Sequence, residues 1–134
     1  MSADQAGGYL AAPALKATQN ILQANPGVDV IASSGDQMID GAYRAARLAG
    51  LTKIKMYGNG CTFEARRQIL SGKGETGCSV YLPRTEAKIV VDLLVRAVNG
   101  EQVAGRSIDP LTLSPIGPVG TKANIRRFTP EFHS

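Results

Sequence analysis

Short runs of apolar and β-branched residues alternate along the chain with stretches in which apolar positions recur at helical spacing. The first run, residues 28–32, stops at a Ser-Ser-Gly turn, and a helical pattern starts directly after it at Asp36. A strand, a tight turn and a helix N-terminus in this order are typical of the carboxyl edge of a parallel sheet, where ligands bind. Residues 28–42 therefore predict a binding edge around which the other elements are arranged.

Helical spacing predicts two helices around this first strand. One starts at Pro13, which suits a first helical position, and ends at the Asn-Pro-Gly turn of residues 25–27. The other runs from Asp36, a suitable N-cap, to Gly50, and its apolar stripe is dominated by small residues, which lets a helix lie close to a sheet. The stripe consists of Met38, Ile39, Ala42, Ala45, Ala46 and Ala49.

Two further helices are predicted downstream. The shorter one is amphipathic around Phe63 and Ile69 and stops at Ser71. The longer one starts at Pro83 and stops at Gly100. Its apolar positions predict one buried face, formed by Ala87, Val90, Val91, Leu94, Val95 and Val98.

The remaining strand signals are weaker. Residues 53–57 and 76–82 are predicted strands, although Gly77 weakens the second. Residues 108–113 are predicted as a last strand or edge segment despite Pro110. The sequence beyond Ser114 is rich in proline and glycine and has no periodicity, which predicts an extended tail or linker.

Alternation of helix and strand with short connections predicts an α/β fold with βαβ crossovers and a parallel sheet. Three internal strands and a doubtful fourth make a thin sheet, whereas parallel strands are normally bordered by neighbours. One βα unit is therefore expected to be missing from the front of a larger fold. We divide the chain into a lead-in segment of residues 1–12, a lobe of residues 13–113 and a tail of residues 114–134.

Composition narrows the class of protein. With 134 residues, 43% hydrophobic and 19% charged, the chain suits one folded domain. The net charge of +4 is spread over helices, apart from a small cluster at Lys122, Arg126 and Arg127, and aromatic residues make up only 5%. Nucleic-acid binding is therefore not expected, because such proteins concentrate charge on one face. A contact of the tail cluster with nucleic acid or an acidic partner is the less favoured alternative.

Membrane insertion is not expected either, since no apolar run approaches the roughly 20 residues that span a bilayer. Residues 1–10 do not resemble a signal peptide, so this chain made alone is expected to stay in the cytoplasm. Cys61 and Cys78 match no metal-ligand spacing. They are either two buried thiols, which we favour, or one disulfide, which becomes the alternative if the parent protein is exported.

Three loops follow predicted strands and should converge at one edge of the sheet. They contain Ser33, Ser34, Gly35 and Asp36, then Gly58, Asn59, Gly60 and Cys61, and finally Tyr81, Leu82 and Pro83. Hydroxyl, amide and phenol groups with a single carboxylate suit a neutral polyhydroxylated ligand. Each loop also has an ordinary structural interpretation, as a helix cap, a turn or a core residue.

Catalysis finds little support in the sequence. The one histidine, His133, is the penultimate residue, where a frayed end is expected rather than a base. The sequence contains no nucleophile elbow, phosphate-binding loop or metal-ligand cluster, so no metal and no cofactor are predicted. An enzyme built on Cys61 is a remote alternative.

Three segments resemble a known family, and in chain order they are NPGVDVIASSGDQMIDGAYRAARLAG, KIKMYGNG and GKGETGCSVYLPRTEAKIVVDLLVRAVNGE. They resemble the carboxyl-terminal lobe of type I periplasmic sugar-binding proteins, the ribose-binding-like solute receptors of ABC transporters. The resemblance runs from about Tyr9 to Leu113. It implies a Rossmann-like three-layer αβα lobe, incomplete at its N-terminal end, which closes with an amino-terminal lobe around a sugar or polyol. It also implies an ABC permease as partner and a periplasmic or extracellular parent protein.

The resemblance implies ligand positions one by one. Tyr9 falls where the family often has an aromatic residue that stacks on a sugar ring. Gly35 replaces the Asn of an Asn-Asp pair, of which Asp36 is retained. Asn59 falls where the family usually has an Asp that accepts two sugar hydroxyls, and Tyr81 falls where a polar side chain often points into the cleft. These departures extend the expected ligand from hexoses and pentoses to modified sugars, polyols and other small polar molecules.

Two expectations follow for assembly and class. The missing unit should leave apolar sheet or helix surface exposed, to be covered by a second copy of the chain or by a separate amino-terminal fragment. The alternative class is the effector-binding core of lactose-repressor-type transcription regulators, which shares this fold. That class needs a helix-turn-helix upstream of the core.

Overall fold

Four strands form one sheet whose spatial order follows the chain order. The computed structural model describes residues 3–103, 105 and 107–134. The strands are β1 (Val30–Ala32), β2 (Lys55–Gly60), β3 (Gly77–Val80) and β4 (Val119–Thr121). The first three pair in parallel, as predicted, and β4 pairs antiparallel with β3. The predicted α/β class with a parallel-dominated sheet is therefore confirmed, with one antiparallel edge.

The helices are α1 (Ala11–Ala24), α2 (Asp36–Leu48), α3 (Phe63–Ser71) and α4 (Pro83–Val98). The small-residue stripe of α2 is buried, as predicted, except for Ala49, which is exposed just after the helix ends. Ile39, Ala42 and Ala46 form a core with Leu22 of α1 and Met56 of β2. A Cβ at Gly41 would overlap the carbonyl oxygen of Ala11, so glycine permits this close contact of the two helices.

The apolar face predicted to be buried on α4 is exposed instead. Val90, Val91, Leu94, Val95 and Val98 are 54–86% exposed, and no residue of α4 is buried against the part of the chain that the structure describes. The pattern correctly predicted the helix, since its spacing and Pro83 are local signals. The prediction that this face is buried was wrong, because burial requires a second surface, which the spacing of apolar residues does not reveal.

The segment predicted as a tail folds back onto the sheet. The strand predicted at residues 108–113 is absent from this described segment, and Pro110–Thr112 forms a 3₁₀ turn instead. Strand β4 lies further along, and Ile116, Ile125 and Phe128 enter a core next to α3 and β3. The extended tail was therefore wrong. The chain reversal after β4 is stabilised by Asn124, whose side-chain amide donates to the carbonyls of Ile116 and Val119. Hydrogen bonds of this kind leave no periodic pattern in the sequence, so the reversal was not predicted.

Cys61 and Cys78 form a disulfide with a Cα–Cα distance of 5.2 Å. The favoured prediction of two free thiols was therefore wrong, and the alternative prediction of a disulfide is correct. The bond joins the end of β2 to β3 within the same core as Phe128. Gly120 of β4 lies against it, since a Cβ there would come within 2.9 Å of the Cys61 sulfur. None of the helices in the described ranges is long and apolar enough to cross a membrane.

Candidate functional site

The loops after β1, β2 and β3 meet at one edge of the sheet, as parallel pairing predicts. The backbone N–H of Ser33 donates to the carbonyl of Tyr57 at 2.9 Å, which extends the β1–β2 pairing to the turn. The backbone N–H of Tyr81 donates to the carbonyl of Gly60 at 3.3 Å on the opposite side of β2. We call this edge, from Ser33 through Asn59 to Tyr81, the carboxyl edge.

A hydrogen-bonded series of three residues crosses the carboxyl edge. The amide nitrogen of Asn59 donates to the carbonyl of Ser34 at 3.4 Å, and the Ser79 hydroxyl donates to the Asn59 amide oxygen at 2.5 Å. Asn59 is exposed at the centre of this series. Ser79 was not predicted, because its position opposite Asn59 depends on the register of β2 against β3.

The side chain of Ser33 stabilises the turn after β1. The Ser33 hydroxyl donates to the carbonyl of Gly35 at 2.8 Å and accepts from the Gly35 N–H at 3.3 Å. Gly35 is the N-cap of α2, and the predicted cap Asp36 is the first helical residue instead. The backbone at Gly35 is extended, with φ −161°, and the nearest atoms that a Cβ there would meet belong to the flexible side chain of Gln37. A larger residue could therefore occupy position 35 after Gln37 moves.

Asp36 lies beneath the carboxyl edge rather than on it. Its side chain is 3% exposed, and its Oδ2 accepts a hydrogen bond of 2.8 Å from the backbone N–H of Thr62. Burial raises the pKa of the Asp36 carboxyl, although the hydrogen bonds from Thr62 work in the opposite direction. The geometry therefore directs this carboxyl toward the loop before α3, away from solvent.

Glu75 is a second buried carboxyl at the same place, and no local pattern in the sequence indicated it. It is 2% exposed, and its backbone N–H donates to the side-chain oxygen of Gln68 at 2.9 Å. Burial and the adjacent Asp36 raise the pKa of Glu75 to about 9. A glutamate in a Gly-rich loop is ordinarily a solvated residue, so only the packing of this loop against α2 and β2 places it in the interior.

Tyr9 is on the β1 side of the carboxyl edge. It has a left-handed backbone, with φ +54°, and its ring is largely exposed. A cavity of about 510 Å³ is lined by Tyr9, Ser33, Ser34, Met38 and neighbouring residues of the lead-in segment and α1. The structure therefore brings Tyr9 and the turn after β1 to the same cavity.

Tyr81 is on the β3 side. Its ring is 46% exposed and packs edge-to-face on Phe132, with 5.9 Å between the ring centroids. Phe132 also reaches Gly60, where a Cβ would come within 3.1 Å of its ring. Phe132 was missed because the segment containing it was predicted to extend away from the lobe.

The other candidates have structural partners. His133, predicted as a frayed end, lies 2.7 Å from Glu64 through its Nδ1 and stacks on Phe63 with 4.6 Å between ring centroids. The disulfide leaves Cys61 without a thiol. Within the described ranges, no group of three or more His, Cys, Asp and Glu residues is arranged to hold a metal ion.

Comparison with known proteins identifies a family for most of the chain. A family model described as periplasmic binding protein domain matches residues 2–102. No curated protein matches significantly. A periplasmic solute binding protein of an ABC transporter from Actinobacillus succinogenes 130z, with bound D-allose, has a TM-score of 0.81 and 26% identity, covering 95% of this chain and 42% of that one.

Two further solved structures share the fold. An ABC transporter solute binding protein from Mycobacterium smegmatis with bound glycerol has a TM-score of 0.77 and 22% identity, covering 97% of this chain and 44% of that one. An ABC transporter solute binding protein from Bacillus halodurans C-125 with bound myo-inositol has a TM-score of 0.74 and 20% identity, covering 90% of this chain and 40% of that one. The chain thus spans about two fifths of the length of the structures that it matches.

Proposed function

The chain belongs to the family of periplasmic binding protein domains, and from that premise we propose that it is a non-catalytic lobe that binds a sugar-like solute for an ABC transporter. The observation that carries the proposal is the hydrogen-bonded series Ser34, Asn59 and Ser79 along the carboxyl edge, with Tyr9 and Tyr81 on either side. The parent protein is proposed to be periplasmic or extracellular.

The chemistry of these groups supports a neutral polyhydroxylated ligand. The Asn59 amide both donates and accepts, and hydroxyl and carbonyl groups adjoin it on either side, which suits the paired donors and acceptors of a vicinal diol. Exposed tyrosine rings can cover the apolar face of a sugar ring. The flexible side chain of Gln37 fills the space beside Gly35 and can move to admit a ligand group. The proposed ligand contacts are therefore Tyr9, Gly35, Asn59 and Tyr81, with Asp36 below them.

The disulfide supports an exported parent protein. Disulfides persist in oxidising compartments and are rare in the cytosol, and Cys61–Cys78 is part of the core of this lobe. The same observation disfavours the alternative, the effector core of a lactose-repressor-type regulator, because such a regulator works in the reducing cytosol. A permease and an amino-terminal lobe that supplies the opposite wall of the cleft are the proposed partners.

One lobe should bind the solute only weakly. Small-molecule sites bury most of the ligand surface between walls, and the carboxyl edge is a single wall. Isothermal calorimetry of this chain with D-allose, myo-inositol and glycerol is expected to show Kd values weaker than about 1 mM. A micromolar Kd for the isolated chain would contradict the one-wall proposal.

Amide-resolved NMR at high sugar concentration locates the weak site. Chemical-shift changes are expected around Ser34, Asn59 and Ser79, and Asn59→Ala should remove them. Asn99→Ala is the matched control, because Asn99 is an exposed asparagine at the end of α4. Changes that persist in Asn59→Ala, or that occur elsewhere on the surface, would refute the carboxyl edge as the binding wall.

The exposed face of α4 is proposed to pair with a second copy of this chain. Its apolar positions are symmetric about the midpoint between Asp92 and Leu93, so that Val91 corresponds to Leu94, Val90 to Val95 and Ala87 to Val98. An antiparallel pair related by a two-fold axis would match each position with its counterpart, as an isologous interface requires.

Sedimentation velocity tests this pairing. The chain is expected to be dimeric at about 100 μM, and Val91→Lys should make it monomeric, because burying a lysine among valines is unfavourable. Leu48→Lys is the control, since Leu48 is exposed on α2, outside this face. A wild-type monomer at about 1 mM would overturn the pairing and leave the apolar face to an amino-terminal lobe.

A further inference from the structure

Two carboxyl groups lie side by side in the interior, directly beneath the carboxyl edge. Asp36 comes from the first turn of α2 and Glu75 from the loop before β3, and they are 3% and 2% exposed. Both press against Gly58 of β2, where a Cβ would overlap Asp36 Oδ1 and Glu75 Oε1. The absence of a side chain at Gly58 thus creates the space in which the two carboxyls meet.

The hydrogen-bond partners of this pair are incomplete if both groups are ionised. Asp36 Oδ2 accepts from the Thr62 N–H, but Asp36 Oδ1 and both Glu75 oxygens find no donor among the described residues. The salt bridges of the described chain involve neither group. Two buried, unpaired negative charges in contact are strongly unfavourable. A single proton would remove one charge and supply the missing donor.

We propose that Asp36 and Glu75 share one proton, held on Glu75 and donated to Asp36, and that the pair positions Asn59 for ligand binding. The pair acts on both sides of Asn59. It packs under Gly58 on one side, and on the other it holds Thr62 through the Asp36 Oδ2 hydrogen bond. The same carboxyl lies next to Gly60, where a Cβ would come within 2.9 Å of Asp36 Oδ2. Asp36 is thus a positioning residue, and its link to ligand binding rests on the proposed function.

The neighbouring negative charges raise the pKa values of the two carboxyls. Burial and Asp36 raise the pKa of Glu75, and Asp40 of α2, which accepts a hydrogen bond from Gln68 of α3, raises the pKa of both carboxyls further. Because the folded-state pKa of Glu75 lies above the unfolded value, its stabilising contribution is complete below about pH 4.5 and is lost as the pH rises through about 9. The unfolding equilibrium constant should therefore rise up to about tenfold per pH unit across this window.

Urea unfolding of wild type and Glu75→Gln from pH 5 to pH 9 tests the shared proton. The amide introduced by this substitution cannot ionise but can still donate to Asp36, so the variant should lose most of the pH dependence. At pH 8 its unfolding constant should be smaller than that of wild type by about 10- to 1,000-fold. Glu86→Gln, the same chemical change on α4, should keep the wild-type pH dependence. Equal pH dependence of wild type and Glu75→Gln would overturn the proposal.

A direct titration covers the case in which Glu75→Gln fails to fold. The side-chain carboxyl of Glu75 in ¹³C-labelled wild type should titrate with a midpoint near pH 9, and the Asn59 side-chain NH₂ signals should move with the same midpoint. A Glu75 midpoint near the ordinary value of about 4.5, or Asn59 signals that do not follow it, would refute the pair as a positioning device.

The sugar titration separates this inference from the proposed function. One outcome is that Glu75 titrates near pH 9 and the Asn59 side-chain signals follow it, while sugars cause no chemical-shift changes at the carboxyl edge. This outcome would support the shared proton and refute the sugar-binding role. If sugars shift Asn59 but Glu75 titrates normally, the binding role stands and the pair fails. If both hold, sugar-induced shifts should weaken above pH 9 in wild type and persist in Glu75→Gln.

Discussion

Phe128→Ala is expected to lower the free energy of unfolding by about 3–5 kcal/mol, a large fraction of the roughly 5–15 kcal/mol that stabilises a domain. Phe128 is 2% exposed and lies in the core formed by α3, β3 and the last part of the chain, among Ile69, Ile116 and Ile125. The substitution removes a large apolar surface and leaves a cavity that the disulfide and the neighbouring isoleucines cannot fill.

Chemical denaturation monitored by circular dichroism measures this effect. Phe63→Ala is the matched control, because Phe63 is a partly exposed phenylalanine on the first turn of α3, and its loss should cost about 1 kcal/mol or less. Equal losses for the two variants would show that the last part of the chain does not contribute to this core.

Loss of the Cys61–Cys78 disulfide has the second largest expected effect. The bond closes a loop with a sequence separation of 17, and the double variant Cys61→Ala, Cys78→Ala should lower the free energy of unfolding by about 3 kcal/mol. The constraint on the unfolded chain accounts for most of this value, and the loss of two buried sulfurs from the core adds to it.

Thermal melts with and without a reductant test the bond independently of the substitution. Reductant should lower the Tm of wild type and leave that of the double alanine variant unchanged. Thiol titration of the denatured, unreduced chain should find no reactive sulfhydryl. Two reactive thiols under these conditions would contradict the disulfide.

These two predictions concern one core, so their effects should not add. Phe128, Cys61 and Cys78 belong to the same buried cluster, and neighbours that share a cavity show interaction energies of about 0.5–3 kcal/mol. That cluster supports β2 and β3 directly below Asn59 and Ser79. Destabilising it is therefore expected to loosen the carboxyl edge before the core between α1 and α2.

The elements with the strongest local signals were predicted well. Strand β1, the Ser-Ser-Gly turn and the small-residue stripe of α2 appear where the pattern indicated, because side-chain period and turn chemistry act over a few residues. The meeting of three loops at one edge also followed, since parallel pairing orders the carboxyl ends. Of the predicted site residues, Tyr9, Gly35, Asn59 and Tyr81 lie along that edge.

The failures share a physical cause. The apolar spacing of α4 predicted a buried face, yet burial depends on a second surface. Glu75 and Phe132 carry no local signal for their positions, because a carboxyl in a glycine-rich loop and an aromatic near a proline are ordinary surface residues in most sequences. Only long-range contacts distinguish them.

The sequence by itself determined the order of the elements from α1 to α4, the parallel pairing of β1 to β3 and the hydroxyl and amide groups at the carboxyl edge, because side-chain periodicity and turn chemistry are local signals. The tertiary structure alone decided that Asp36 points inward to meet Glu75, that Cys61 bonds to Cys78 and that residues 114–134 complete the sheet and core. These features join residues far apart in the chain, and their energy arises from desolvation and packing that exist only once the chain has folded.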